Sequence, residues 1–242
     1  MSQEISTAHI SPPAILPPAI LPPAILPPAI LAIGRNYAEH AKEMGGTIPT
    51  RPIVFFKNPA CVISDGEPII IPAICREGGP QVDFEGELAV ILGANCREVS
   101  QADALGMVAG YAVANDVSAR WWQNQGAGGQ FSRGKSFDTF CPLSKITPAH
   151  NIKDPQNLRI QTRVSGELMQ DSSTSNMIFS VAKLISDLSR GMTLLKGTII
   201  LTGSPPGVGH ARNPPRYLQH GDVVEISIES VGTLTNPVTE AP

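Results

Sequence analysis

The sequence predicts a β-rich α+β domain, and three observations carry that expectation. Short apolar runs recur throughout the chain after residue 32, clusters of glycine and proline separate them, and only four stretches carry helical spacing. Many short strands with few helices argue for such a domain rather than a doubly wound sheet.

The elements can be justified in order. Residues 12–31 are four tandem copies of PPAIL. Paired prolines every five residues deny this apolar tract a helix, so it reads as neither a membrane span nor a signal segment. Residues 1–31 are therefore expected as a low-complexity arm outside the core, its repeat tract either extended and polyproline-like or a poorly specified lead-in, with one domain over 32–242. Residues 36–44 suit a short helix, with Asn36 as N-cap, Glu39 completing a capping box and Gly45–Gly46 ending it. Strands are expected at 53–57 and 68–71, then as one long strand at 82–92. A helical turn at 101–105 precedes a buried strand at 110–115 and a helix or turn at 117–124. Beyond these come a strand at 158–164, a helix at 179–190, strands at 198–202 and 223–228, and a short last strand near Thr233.

Composition narrows the function classes. The 242 residues are 42% hydrophobic and 16% charged, with a net charge of −3. This balance offers no basic patch to nucleic acid, and nothing in it points to a membrane partner. Cys61, Cys75, Cys96 and Cys141 are scattered, form no CxxC pair, and are expected as structural free thiols in a reducing compartment. Residues 1–11 contain Glu4 but no Lys or Arg, unlike a mitochondrial transit peptide. With no recognisable targeting peptide, a cytoplasmic or mitochondrial-matrix protein is expected.

Chemistry concentrates in a few places. In VDFEGELAVIL (82–92), a strand period of two puts Asp83, Glu85 and Glu87 on one face, where they are either solvated or in need of a cation. His40 and Glu43 lie three apart on the helix, a spacing that lets a carboxylate orient an imidazole. Asp116 follows a buried apolar run and can cap a helix or bind a metal, with Arg120 and Gln123 near it on helical spacing. Trp121 and Trp122 cannot share one helix face, so at least one belongs to the core. Lys135 sits between glycine and aromatic residues, where it can be partly desolvated. The loop LTGSPPGVG (201–209) lacks the Lys of a P-loop, but could offer backbone N–H groups and the hydroxyls of Thr202 and Ser204 to a small anion.

The order of GRNYAEHAKEMG, PIVFFKNP, VDFEGELAVILG, GYAVANDVSAR, RGKSFDTFCPL, VSGELMQ, TSNMIFS and GTIILTGSPPGVG resembles the fumarylacetoacetate hydrolase family, over about residues 32–238. The resemblance implies a mixed β-sandwich or roll, usually dimeric, with Mg²⁺ or Mn²⁺ held by Glu85, Glu87 and Asp116. It implies catalytic roles for His40, Glu43, Lys135 and Gln123, and substrate contacts at Arg35, Tyr37 and Thr202. The implied substrates are small 2-oxo or β-diketo acids, processed through a metal-stabilised enolate by tautomerisation, decarboxylation or C–C hydrolysis. RNPPRYLQHGD leans the resemblance towards the tautomerase subgroup. Three departures stand out: Trp121 where the family commonly has Asp, CPLSK where CPLGP is frequent, and the PPAIL repeats in the usual lead-in to the first family motif. Trp121 and the repeats motivate a second reading, a family-fold protein with a binding or regulatory role. A glycosidase built on Glu85 and Glu87 is set aside, because neighbours on one strand face cannot flank a scissile bond.

Overall fold

In the computed structural model, which describes residues 26–241, the last PPAIL copy runs directly into the first strand, β1 (Ile30–Gly34). Ile30 and Leu31 are buried, so the core starts two residues before the expected boundary at 32. Once past Pro28 every residue can donate to a ladder, and Ile30 and Leu31 do so between two neighbours. Residues 1–25 of the expected arm lie outside the described residues.

The chain continues through α1 (Ala38–Glu43), β2 (Ile53–Lys57), β3 (Val62–Ser64), β4 (Ile69–Ile71), β5 (Val82–Asp83), β6 (Gly86–Leu92), β7 (Val108–Asn115) and β8 (Ser118–Ala119). After two short helices, α2 (Arg120–Gln123) and α3 (Phe131–Gly134), come β9 (Cys141–Leu143), β10 (Thr147–Pro148), β11 (Arg159–Val164) and β12 (Glu167–Ser173). The helix α4 (Val181–Leu188) then leads into β13 (Ile199–Leu201), β14 (Val223–Ile228) and β15 (Gly232–Glu240).

A mixed sheet of eight strands runs β2-β1-β13-β6-β7-β9-β3, with β10 also paired to β7. A second sheet of five runs β12-β11-β14-β15-β4. Alternation along β1 shows how the large sheet is used. Leu31 and Ile33 face the second sheet and α4, whereas Ile30 and Ala32 face a smaller apolar cluster with Phe55, Ala89 and Leu201 on the opposite side. Because β6 is central and covered on both faces, all seven of its residues are buried. α4 obeys the same logic, burying Val181, Leu184, Ile185 and Leu188 at helical spacing, while the Ser180 side chain caps it by accepting from the Lys183 N–H.

The β-rich fold is as expected, but local details differ. The long strand 82–92 is broken at Phe84–Glu85, and β5 leaves the large sheet to pair with β8. Asp83 causes this by turning towards Arg120 and the loop at 209–210. Asn36 does not cap α1. Its side chain instead bridges the Phe179 and Thr202 carbonyls at 3.0 and 2.7 Å, and Tyr37 takes the N-cap position without a side-chain hydrogen bond. The expected helix 117–124 is shortened to α2, and 101–105 gives way to a 3₁₀ turn at Ala104–Met107. All four cysteines are buried and free.

Candidate active site

The start of β6 and the end of β7 lie side by side, with Gly86 opposite Asn115. Two hydrogen bonds tie the flanking residues together: Asn115 Oδ1 accepts from the Glu85 N–H at 3.0 Å, and the Asp116 N–H donates to the Glu85 carbonyl at 2.8 Å. Glu85, Glu87 and Asp116 are thereby brought together, with one carboxylate oxygen from each lying within 4.8 Å of the others. All three are buried.

Cations answer part of this charge. Lys135 Nζ donates to Glu85 Oε2 and Asp116 Oδ2, both at 2.6 Å. Lys57 Nζ, from the inward face of β2, donates to Asp116 Oδ1 at 2.6 Å. Arg120 Nη1 meets Glu85 Oε1 at 2.7 Å. Burial opposes the Glu85 charge, but Lys135 and Arg120 outweigh it and hold the carboxyl well below its usual range. Burial likewise works against the Lys57 and Arg120 charges, yet Asp116 in the first case and Asp83 in the second keep each group above its ordinary value.

Glu87 is different. It forms no ion pair among the described residues and accepts one hydrogen bond, from the Gly203 N–H at 2.7 Å. Burial, then the Asp116 and Glu85 charges, push its carboxyl well above the usual range. Nearby, the buried Tyr37 hydroxyl has no hydrogen-bond partner among the described residues. Three converging carboxylates, one without a cation, beside an orphaned hydroxyl form a donor set that fits a hard divalent ion with oxygen ligands. Asp83 is excluded from that set. Its two oxygens are already occupied by the Arg120 guanidinium at 2.7 and 2.9 Å and by the Phe84, Gly209 and His210 N–H groups at 2.8–3.0 Å.

A cavity of about 120 Å³ opens onto the cluster. This is well below the ~300 Å³ at which sites for drug-sized ligands begin, and suits a small acid. Glu85, Lys135, Gln123, His40 and Arg35 all line it. His40 Nδ1 meets Glu43 Oε1 at 2.7 Å, and Glu43 is itself held by the Gly207 N–H at 2.9 and 3.1 Å. That pairing orients the ring and leaves Nε2 as the atom free for a substrate proton. Gln123 Oε1 accepts from Arg120 Nη1 at 3.0 Å, which aims its amide. Arg35 holds a left-handed φ of +58°, a conformation costing a non-glycine residue roughly 1–3 kcal/mol.

Two expected substrate contacts are placed elsewhere. The Thr202 hydroxyl donates to the Leu88 carbonyl at 2.8 Å and is fully buried. Tyr37 is buried beside the cluster and does not line the cavity. The glycine-rich loop after β13 uses its N–H groups on the protein's own carboxylates rather than on a free anion: Gly203 on Glu87, Gly207 on Glu43, Gly209 on Asp83. Gly203 has φ +101° and a Cβ there would lie 2.6 Å from Asn36 Cβ, so glycine is required.

Sequence reasoning missed Lys57, the anchoring role of Asp83, and His210. The signal for Lys57 was present, since it shares the buried face of β2 with Phe55 while Val54 and Phe56 point out. Trp121 stacks edge-to-face on Trp122 with centroids 5.0 Å apart and does not line the cavity. Trp122 packs against the main core.

Comparison with known proteins agrees with this geometry. The family model described as fumarylacetoacetate (FAA) hydrolase C-terminal matches residues 29–239. Oxaloacetate tautomerase FAHD2B, mitochondrial, of Bos taurus is 44% identical over 209 residues, 86% of this chain and 65% of that protein. Oxaloacetate tautomerase YisK of Bacillus subtilis is 44% identical over 211 residues, 86% of this chain and 68% of that one. The chain thus spans about two thirds of the length of these relatives. Among solved structures, 5-carboxymethyl-2-hydroxymuconate delta-isomerase from Mycobacterium smegmatis superposes with a TM-score of 0.78 at 40% identity, covering 90% of this chain and 81% of that one.

Proposed function

This chain belongs to the fumarylacetoacetate hydrolase family, and from that premise we propose that it is a divalent-metal-dependent enzyme that interconverts the enol and keto forms of oxaloacetate or a close 2-oxo acid. The observation that carries the reading is the cluster of Glu85, Glu87 and Asp116, whose Glu85 lines a small cavity together with His40. Glu85, Glu87 and Asp116 would hold Mg²⁺, or Mn²⁺ as the alternative. Such an ion supplies Lewis-acid stabilisation of negative charge developing on a substrate oxygen.

The protein's own groups do the rest. Enol-to-keto conversion takes a proton from the enol oxygen and delivers one to the adjacent carbon. His40, held by Glu43, accepts or returns that proton at Nε2. Lys135 and the Gln123 amide, both on the cavity wall, favour negative charge on oxygen as the proton leaves. Hydrolysis or decarboxylation of acylpyruvate-like acids would use the same enolate. The names of the tautomerase relatives favour the proton transfer alone. Because Trp121 stands away from the cavity, that departure gives the binding-only reading no support at the site.

We also propose a homodimer in a reducing compartment, cytoplasm or mitochondrial matrix. Exposed Phe56 and Ile146 at the large sheet and the four buried free thiols support these readings. The test of function is the disappearance of enol-oxaloacetate followed with and without Mg²⁺ and a chelator, with acylpyruvates in parallel. Metal-dependent acceleration of ketonisation is expected. If the metal-saturated protein accelerates neither substrate class, the enzymatic reading is wrong.

A further inference from the structure

His210 takes no part in the proton path described above, yet it lines the same cavity as Glu85, Gln123 and Lys135. Its backbone N–H donates to Asp83 Oδ2 at 3.0 Å, and the preceding Gly209 N–H donates to Asp83 Oδ1 at 2.8 Å. Position 209 must be glycine, because a Cβ would collide with the Arg216 carbonyl oxygen. The Arg216 N–H in turn donates to the Gly209 carbonyl at 2.9 Å, closing a loop that returns Tyr217 to the side of His210. The two rings lie 6.0 Å apart, and the Tyr217 hydroxyl meets His210 Nδ1 at 2.6 Å. Asp83 anchors this loop and also grips Arg120, so the His210–Tyr217 pair and the carboxylate cluster share one frame.

We propose that His210, oriented by Tyr217, is a specificity residue that donates a hydrogen bond to the distal carboxylate of a 2-oxo dicarboxylic acid. This rests on the reading that a small 2-oxo acid is the substrate. In the tautomer that accepts from the Tyr217 hydroxyl at Nδ1, the ring proton lies on Nε2, the nitrogen left free for a ligand, and that is the tautomer this role requires. Burial, followed by the Arg120 charge, lowers the ring below the usual imidazole range, so it meets an anion as a neutral donor. Two other cavity cations are already engaged, Lys135 by Glu85 and Asp116 and Arg120 by Asp83 and Glu85. Arg35 and the His210 ring remain for the far end of a ligand. Tyr217 is a positioning residue, acting through the imidazole.

The experiment compares two ligands that differ by that one carboxylate, oxaloacetate and pyruvate, bound to the full Mg²⁺-loaded chain and followed by calorimetry. His210→Leu is expected to weaken oxaloacetate roughly tenfold and leave pyruvate and Mg²⁺ affinities unchanged. Tyr217→Phe should shift oxaloacetate in the same direction by a smaller factor. His210→Gln, which keeps an N–H donor, should recover most of the loss. A merely structural role would move both acids and the metal together, and that result overturns the assignment, as does a His210→Leu protein that binds both acids as the wild type does. If no acid is turned over but the loss stays confined to oxaloacetate, the enzymatic reading falls and this assignment stands. If oxaloacetate is turned over with an unchanged KM in His210→Leu, the assignment falls and the enzymatic reading stands.

Discussion

Glu87 and Asp116 sit in one cluster, yet their replacement should act in opposite directions on the metal-free protein. Asp116 answers both Lys57 and Lys135. Asp116→Ala strands the buried Lys57 ammonium, leaves Lys135 with Glu85 alone, and should cost roughly 3–5 kcal/mol in denaturant unfolding, besides abolishing metal binding. Glu87 has no cationic partner among the described residues, so Glu87→Gln should leave metal-free stability equal or higher while weakening Mg²⁺ or Mn²⁺ titrations at least about tenfold. His40→Ala should keep the metal and lose about 10²–10⁴ in turnover; normal turnover would show that His40 is not the base. At this scale, family order singled out most of the candidate site, the residues that line the cavity or converge beside it, but residue chemistry alone did not. A period of two treats Asp83, Glu85 and Glu87 alike, and only the hydrogen bonds of Asp83 separate a structural anchor from two candidate ligands.

Whole elements were legible where one physical cause dominated. β2 and β14 have the bounds that their apolar patterns gave, and α4 follows from its buried stripe. Removing its cap with Ser180→Ala should cost about 1 kcal/mol, read from the denaturant midpoint. The break between β5 and β6 was not legible, because it depends on Arg120 and the loop at 209–210, which are distant in sequence. The turn leading into β14 carries a pH dependence of its own. Burial would raise the Asp222 carboxyl, but hydrogen bonds from Arg216 and Ser165 outweigh it and leave it lowered. Its stabilisation is therefore full above the unfolded carboxylate value of ~3.9 and is lost as pH falls through the lower folded value. Asp222→Asn should flatten the acid limb of a stability-versus-pH curve and lower stability at neutral pH.

For the molecule as a whole, a divalent ion that binds only the folded chain should raise stability by about 2.7 kcal/mol at a hundredfold excess over its Kd. The midpoint of thermal unfolding should then climb with Mg²⁺ concentration in the wild type and stay flat in Asp116→Ala. The two-sided burial of β1 gives another whole-molecule expectation: Leu31→Ala should destabilise by roughly 2–5 kcal/mol. The last PPAIL copy supplies Ile30 and Leu31 to β1, and the copies ahead of it are identical. A chain with one copy more or fewer would therefore still carry Ile-Leu in front of Ala32, so the core would receive the same strand whatever the repeat number. Chains with three or five copies should melt together.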